Sequence, residues 1–468
     1  MRYIILLLTL ITANLRAQTD TTKVFAYRDF YELVLQNHPV LKQANTLSEA
    51  AKAELLMARG AFDPKLMAGF DQKYFNNEYY YNFWDSQLKV PIRWGGLDLK
   101  IGYERNTGKT LGTDIQTPPD GLTYFGVEAG LQRFLIDQRR SDLKNAQLFQ
   151  QIAETERVKM INKLVLSAAK EYWDWYFSYR NYLLIKDFYD LADARYLLVK
   201  KRVVQGDLAA IDSTDAEVTL LDRRVLLEQA ALDFRNDRLK LSNFLWDNQQ
   251  NPRELPDFAV PQMALSERID DKVRDELLEL ARQRHPEIQK LGFKNQQLQV
   301  DERLARNKLL PQLDVGVTSL NYSHRLITGV ETLKYNIIPA FYKFNFDFAM
   351  PLFFRKERGK LQSIKVKQLQ NDLELRQLRR EINNEVLMAY NDVKNLARQI
   401  QEQQVAVARQ GQVLRAEEQR FAIGESQLFL VNQREAKLNE LRVKLESMKS
   451  KYEKAKATLF FAAGMSSE

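Results

Sequence analysis

Two hydrophobic rhythms divide this chain. Over residues 84–92, Trp84, Leu88, Val90 and Ile92 fall on one side and Asp85, Gln87 and Lys89 on the other. Over 97–104, Leu97, Leu99, Ile101 and Tyr103 oppose Asp98, Lys100 and Glu104. A period of two marks a strand with one apolar face. Residues 66–75, 122–131, 313–321 and 342–350 follow the same rule, which predicts six strands in all. Everywhere else the rhythm is helical. Residues 140–203 contain no proline or glycine and carry a stripe at Leu164, Ala168, Tyr172, Trp175, Tyr179 and Leu183. Residues 358–421 carry another at Leu378, Ile382, Val386, Ala389, Val393 and Ile400. Each run would extend about 95 Å at 1.5 Å per residue, far beyond the width of a globular domain. Both stop at a glycine, Gly206 or Gly424, as a helix C-terminus does, and a second helix returns over 208–246 or 427–461.

The pattern occurs twice. Pro39 and Pro64 recur as Pro286 and Pro311, and Tyr172, Asp174 and Gly206 recur as Tyr390, Asp392 and Gly424. The first offset is 247 residues and the second 218, so 29 extra residues lie in the first half, between Pro64 and Arg140. A unit this long is a duplicated architectural half, not a solenoid repeat. The expected organisation is a first unit over 18–250, a proline-containing linker at the waist over 251–271 and a second unit over 272–468. In each unit His-Pro, as His38-Pro39 or His285-Pro286, suits a helix start, with a polar cap followed by proline at the first helical position. The helix over 40–61 and the shorter return helix together match the length of the 64-residue helix, so the two should stack end to end beside it.

Composition narrows the setting. Residues 1–17 have the arginine, short apolar run and small terminal residue of a secretory signal. No later segment is long and apolar enough for a transmembrane helix. There is no cysteine, hence no disulfide and no acylated N-terminal cysteine. A net charge of +8 comes from 69 basic and 61 acidic residues that alternate along helices, a solvated surface and not a nucleic-acid site. Strands of about ten residues with aromatic ends, such as Tyr79-Tyr80-Tyr81 and Phe83-Trp84, fit a membrane β-barrel in an exported chain; the strands of a soluble β-sandwich also alternate, but two short β patches inside a helical chain make a poor sandwich.

Enzyme chemistry is not indicated. Gly108-Lys109-Thr110 imitates the end of a phosphate loop, but Tyr103 stands where its first glycine belongs, and no metalloprotease, serine-hydrolase or cysteine motif occurs. Only three histidines are present, with His324 apart from the other two, so neither a metal nor a cofactor is expected. One acidic pair merits a role. Asp212 and Asp215 lie three apart, soon after the Gly206 turn, where they are either an ordinary helix-start pair or part of a charged ring.

The paired His-Pro entries, the Gln132-Arg133-Phe134-Leu135 and Met350-Pro351-Leu352-Phe353 junctions, and the turns at Gly206 and Gly424 together resemble the TolC-type outer-membrane efflux family. The resemblance implies a mainly α fold with membrane β: duplicated long helical hairpins forming a tunnel, with strands contributed to one shared trimeric transmembrane barrel. It implies a homotrimer in outer-membrane lipid, with a periplasmic helical portion. The chain would then be the passive exit duct of a tripartite efflux or type I secretion system, docking to a periplasmic adaptor and an inner-membrane transporter. It also implies acidic rings at the tip, but Leu430 and Gln433 hold the second-half positions and Ser426 replaces a basic latch residue, leaving Asp212 and Asp215 as candidates for gate and selectivity. Four strands per protomer would close the family's twelve-stranded barrel and six would close eighteen; the alternation in the 29 extra residues leaves both open. The rival from another class is a periplasmic coiled-coil adaptor or scaffold with a small soluble β domain.

Overall fold

The computed structural model describes residues 23–109, 111–264, 269–322 and 341–465. The expected signal sequence and His324 lie outside them. Strand β1 (Lys23–Phe25) leads into helices α1 (Tyr27–Asn37) and α2 (Pro39–Gly60), then strands β2 (Lys65–Phe75), β3 (Glu78–Pro91), β4 (Leu97–Thr107) and β5 (Leu122–Gly130). A short helix α3 (Leu131–Leu135) turns the chain into α4 (Gln138–Val204), and α5 (Ala210–Ser242) returns. Strand β6 (Ala259–Pro261) pairs in parallel with β1. The order then repeats as α6 (Asp271–Arg284), α7 (Pro286–Asn307), β7 (Gln312–Tyr322), β8 (Tyr342–Ala349), α8 (Arg355–Ala422) and α9 (Leu428–Ala462).

The matching helices have nearly equal lengths: 22 residues in both α2 and α7, 67 and 68 in α4 and α8, 33 and 35 in α5 and α9. At 1.5 Å per residue α4 and α8 each extend about 100 Å. They pair with their return helices α5 and α9, while α2 and α7 lie beside α4, and α7 also beside α8.

The end-to-end stacking depends on the two histidines. His38 Nδ1 accepts the Val40 N–H at 3.2 Å, capping α2, and its ring lies against Phe244 and Trp246, just beyond the end of α5. His285 Nδ1 accepts the Glu287 N–H at 3.3 Å at the start of α7. It meets the turn that ends α9, where a Cβ on Gly464 would lie 2.9 Å from Pro286 and 3.0 Å from the His285 ring. Each His-Pro therefore closes a joint between two short helices that run along one long one.

The helical stripes meet in two cores. Tyr172, Trp175 and Tyr176 of α4 are buried with Phe30, Val34 and Leu241. Val386, Tyr390 and Val393 of α8 are buried with Tyr452, Leu459 and Ala281. Burying each of these large side chains contributes roughly 1.5–3 kcal/mol, which offsets the cost of ordering such long helices. Tyr172 Oη also donates to the Phe25 carbonyl at 2.6 Å, fixing β1 against α4.

The other six strands form one antiparallel sheet in the order β2-β3-β4-β5-β7-β8. The hairpin β3–β4 is thus inside the sheet, between β2 and β5, and all six predicted strands belong to it. The register keeps the alternation coherent across strands. Val90, Leu99, Val127, Val317 and Phe344 stand side by side on one face, and Lys89, Lys100, Gly126, Thr318 and Lys343 on the other.

Candidate functional site

Two regions concentrate polar chemistry: the far tip of the helical hairpins and the junction where sheet becomes helix. At the tip, Gly206 and Gly424 both adopt φ of 83°, the left-handed conformation that costs glycine nothing. Gly206 N–H donates to the Val203 carbonyl and Asp207 N–H to the Arg202 carbonyl. Gly424 and Glu425 repeat these bonds to Phe421 and Arg420. The two turns are the same helix-terminating motif, and it satisfies carbonyls that the helix end would leave without partners.

Asp212 and Asp215 stand in the first turns of α5, as the spacing predicts, but they differ in environment. Asp212 is half-buried, and its Oδ2 accepts the Ala209 N–H at 3.1 Å, so one carboxylate oxygen caps the helix. Asp215 is exposed, and its backbone carbonyl accepts the Thr219 hydroxyl at 3.0 Å. In the second hairpin, Ser426 donates to Glu417 of α8 and so closes a contact within its own hairpin.

Above the tip is a cluster that the sequence pattern did not reveal. Glu435 of α9 is buried, and its Oε2 accepts from Arg195 Nη1 of α4 at 2.7 Å and from Arg223 Nη2 of α5 at 2.8 Å. Arg223 Nη1 also donates to the Phe188 carbonyl at 2.9 Å, and its guanidinium lies 3.6 Å from the Phe188 ring centroid. Burial pulls the Arg223 pKa below the usual arginine value, while the charge and hydrogen bond of Glu435 raise it. Three helices from both hairpins are thereby tied by one carboxylate. Arg223 and Glu435 read in sequence as surface charges on amphipathic helices; only the packing of α9 on α4 shows their pairing.

At the junction, Asp98 of β4 is 3% exposed and holds three cations: Lys89 at 3.2 Å, Arg133 at 2.9 Å and Arg139 at 2.9 Å. Arg133, on α3, also reaches Asp314 of β7 at 2.6 Å. Lys100 pairs with Glu128 on β5. The charges on the polar face of the sheet thus connect the strands of both halves to the base of α4. Gly96, in the β3–β4 turn, comes so near α3 that a Cβ there would lie 2.1 Å from the Arg133 carbonyl oxygen.

Residues 277–465 match the family model described as outer membrane efflux protein. No curated relative matches the chain. Among solved structures, the open state of the Neisseria gonorrhoeae MtrE outer membrane channel aligns with a TM-score of 0.68 at 15% identity, covering 94% of this chain and 88% of that one. The Campylobacter jejuni CmeC outer membrane channel gives 0.64 at 15%, covering 93% and 85%. The Vibrio cholerae outer membrane protein VceC gives 0.64 at 14%, covering 94% and 96%.

Proposed function

We propose that this chain, an outer membrane efflux protein by the match of its second half and by the fold of its whole length, is the passive exit duct of a tripartite efflux or type I secretion assembly. One observation carries this reading: a six-stranded sheet whose apolar face is uncovered sits at one end of helices about 100 Å long. Phe70, Trp84, Ile101, Phe125, Val317 and Phe346 are 43–58% exposed on that face. A soluble β domain would bury such a face against a second layer, so the scaffold reading has no support. Outer-membrane lipid would cover it, with the helices in the periplasm.

The working unit would be a homotrimer. Among the described residues β2 and β8 each leave one edge of the sheet unpaired, and an open edge is not tolerated in lipid, so several copies would close one barrel. The helices support the same conclusion. Ile211, Val218, Val225, Leu232 and Leu239 recur every seven residues along α5 and are 47–70% exposed, an unfilled coiled-coil seam that suits a neighbouring copy. The tip would dock to a periplasmic adaptor and an inner-membrane transporter, whose energy would drive transport, and it would open by the hairpins spreading around Gly206 and Gly424.

The test is single-channel conductance of the purified protein in planar bilayers, with cross-linking to count copies. Discrete openings from a three-copy assembly support the duct. Well-folded protein that fractionates with soluble periplasm and never conducts would sink it. Cross-links between neighbouring tips that leave transport unimpaired would rule out tip spreading.

A further inference from the structure

We infer that the β3–β4 hairpin is a lipid-facing part of the barrel wall, so that three copies close an eighteen-stranded barrel and not a twelve-stranded one. This rests on the trimeric duct proposed above. The hairpin accounts for the surplus of the first half, and its placement decides the width of the outer-membrane pore.

Four observations carry the inference. First, the backbone ladder runs through the hairpin: β3 pairs with β2 from Glu78 to Lys89, with one register shift at Lys73/Tyr74, β4 with β3 from Asp98 to Thr107, and β4 with β5 from Leu97 to Glu104. A hairpin folded into the lumen or lying on the rim would leave β2 and β5 to pair with each other. Second, the strands are long enough. β3 has 14 residues and β4 has 11, against about 9–11 for a tilted membrane-spanning strand. Third, the apolar face passes through the hairpin unbroken. Leu66, Leu88, Ile101 and Phe125 occupy one register row across β2, β3, β4 and β5, and Leu88 and Ile101 are 37% and 51% exposed. Alternation with one apolar and one polar face is the pattern of a wall between lipid and lumen.

Fourth, the polar face locks the hairpin to its neighbours. Tyr124 of β5 lies across Gly102 of β4, where a Cβ would sit 2.4 Å from the ring, and donates its hydroxyl to Asp85 of β3 at 2.8 Å. Asp98 pairs with Lys89 across the base of the hairpin and ties that base to Arg133 and Arg139. These ties cross the sheet on the face that would line the lumen. Barrel diameter grows roughly linearly with strand number, so eighteen strands close at about 1.5 times the diameter of twelve. The outer-membrane section would then be wider than the helical tunnel beneath it, and solute size would be limited at the helices.

The absence of cysteine makes the test direct. Single-cysteine variants Leu88→Cys, Ile101→Cys, Gln87→Cys and Glu104→Cys, with Phe346→Cys on β8 as reference, are labelled with a pyrene maleimide and reconstituted in vesicles containing dibrominated phosphatidylcholine. Labels at 88 and 101 are expected to be quenched by the lipid bromines to the same extent as the label at 346. Cysteines at 87 and 104 should escape quenching and react with a charged methanethiosulfonate. Quenching at 346 without quenching at 88 and 101 overturns the wall placement and leaves the duct intact. No quenching at 346 overturns the bilayer sheet itself, and the inference with it. Native mass measurement of the assembly is expected to give three copies, and any other number removes the count of eighteen.

Discussion

Arg223 Nη2 lies 2.8 Å from Glu435 Oε2, and the two residues, on α5 and α9, are 2% and 4% exposed. Arg195 of α4 completes the cluster on the same oxygen. Two ions taken from water gain little net stability from each other, but removing one leaves its partner buried and uncompensated. Glu435→Ala is therefore expected to destabilise the protomer by about 3–5 kcal/mol, read as an earlier thermal transition of the detergent-solubilised protein. The apolar triple variant Arg195→Met, Arg223→Met, Glu435→Leu, which leaves no member of the cluster charged, should recover most of the loss. If Glu435→Ala melts with the wild type, the cluster does not hold the hairpins together.

Two glycines test two different reasons for having no side chain. At Gly206 a Cβ would meet nothing within 4 Å, so Gly206→Ala bears only the left-handed backbone, about 1–2 kcal/mol. At Gly96 the φ is also positive, at 60°, and a Cβ would collide with the Arg133 backbone at 2.1 and 2.3 Å. Gly96→Ala must displace α3 from the hairpin and should cost clearly more, seen as reduced heat resistance of the assembled protein. Equal losses at the two positions would show that the turn does not pack on α3 as described.

The histidine caps carry a pH dependence. Burial lowers the pKa of His285 from its ordinary 6.5, with Glu287 opposing and Lys159 adding to the effect. Burial likewise lowers that of His38, against a backbone hydrogen bond at Asn243. Only the neutral ring offers Nδ1 as an acceptor, so the folded state binds fewer protons than the unfolded one just below 6.5. The contribution is complete above that value and lost as pH falls through the lowered folded pKa. Unfolding midpoints of the wild type should drop from pH about 7.5 to about 5.5 by more than those of His38→Asn, His285→Asn, which keeps a capping acceptor that does not titrate. Identical pH dependence in the two proteins would mean that the caps play no part in it.

Much of this arrangement was legible in residue order, and the missing part has a common cause. Helix periodicity located α4 and α8 to within three residues at each end, because such runs have no competing signal. Strand alternation assigned Lys89, Asp98 and Lys100 to one face, since period two fixes the face of each residue. It left the place of the β3–β4 hairpin open, because pairing partners are set by register between strands distant in sequence. The sequence pattern predicts a return helix as far as Trp246, but α5 stops at Ser242, and Trp246 instead bridges to Pro252 and packs on His38. The Arg195–Glu435–Arg223 cluster gave no signal for the same reason as the hairpin: Glu435 is 212 residues from Arg223 and 240 from Arg195, and meets them only when the two hairpins pack.

The tip carboxylates can be separated by environment. Asp212 spends one oxygen on the Ala209 N–H, whereas Asp215 faces solvent three residues on. In a threefold assembly both would repeat around the tip, and a ring of like charge favours counter-ions. Asp215→Asn should then weaken cation preference in planar bilayers, read as a reversal potential moving toward zero in a salt gradient, with thermal stability unchanged. Asp212→Asn should do the same with a small further loss of stability, a few tenths to about 1 kcal/mol, because an amide oxygen caps nearly as well but lacks the charge favoured at a helix start. If Asp215→Asn leaves the reversal potential unmoved while Asp212→Asn lowers stability, the pair is a helix start and nothing more, and selectivity must be set elsewhere along the duct.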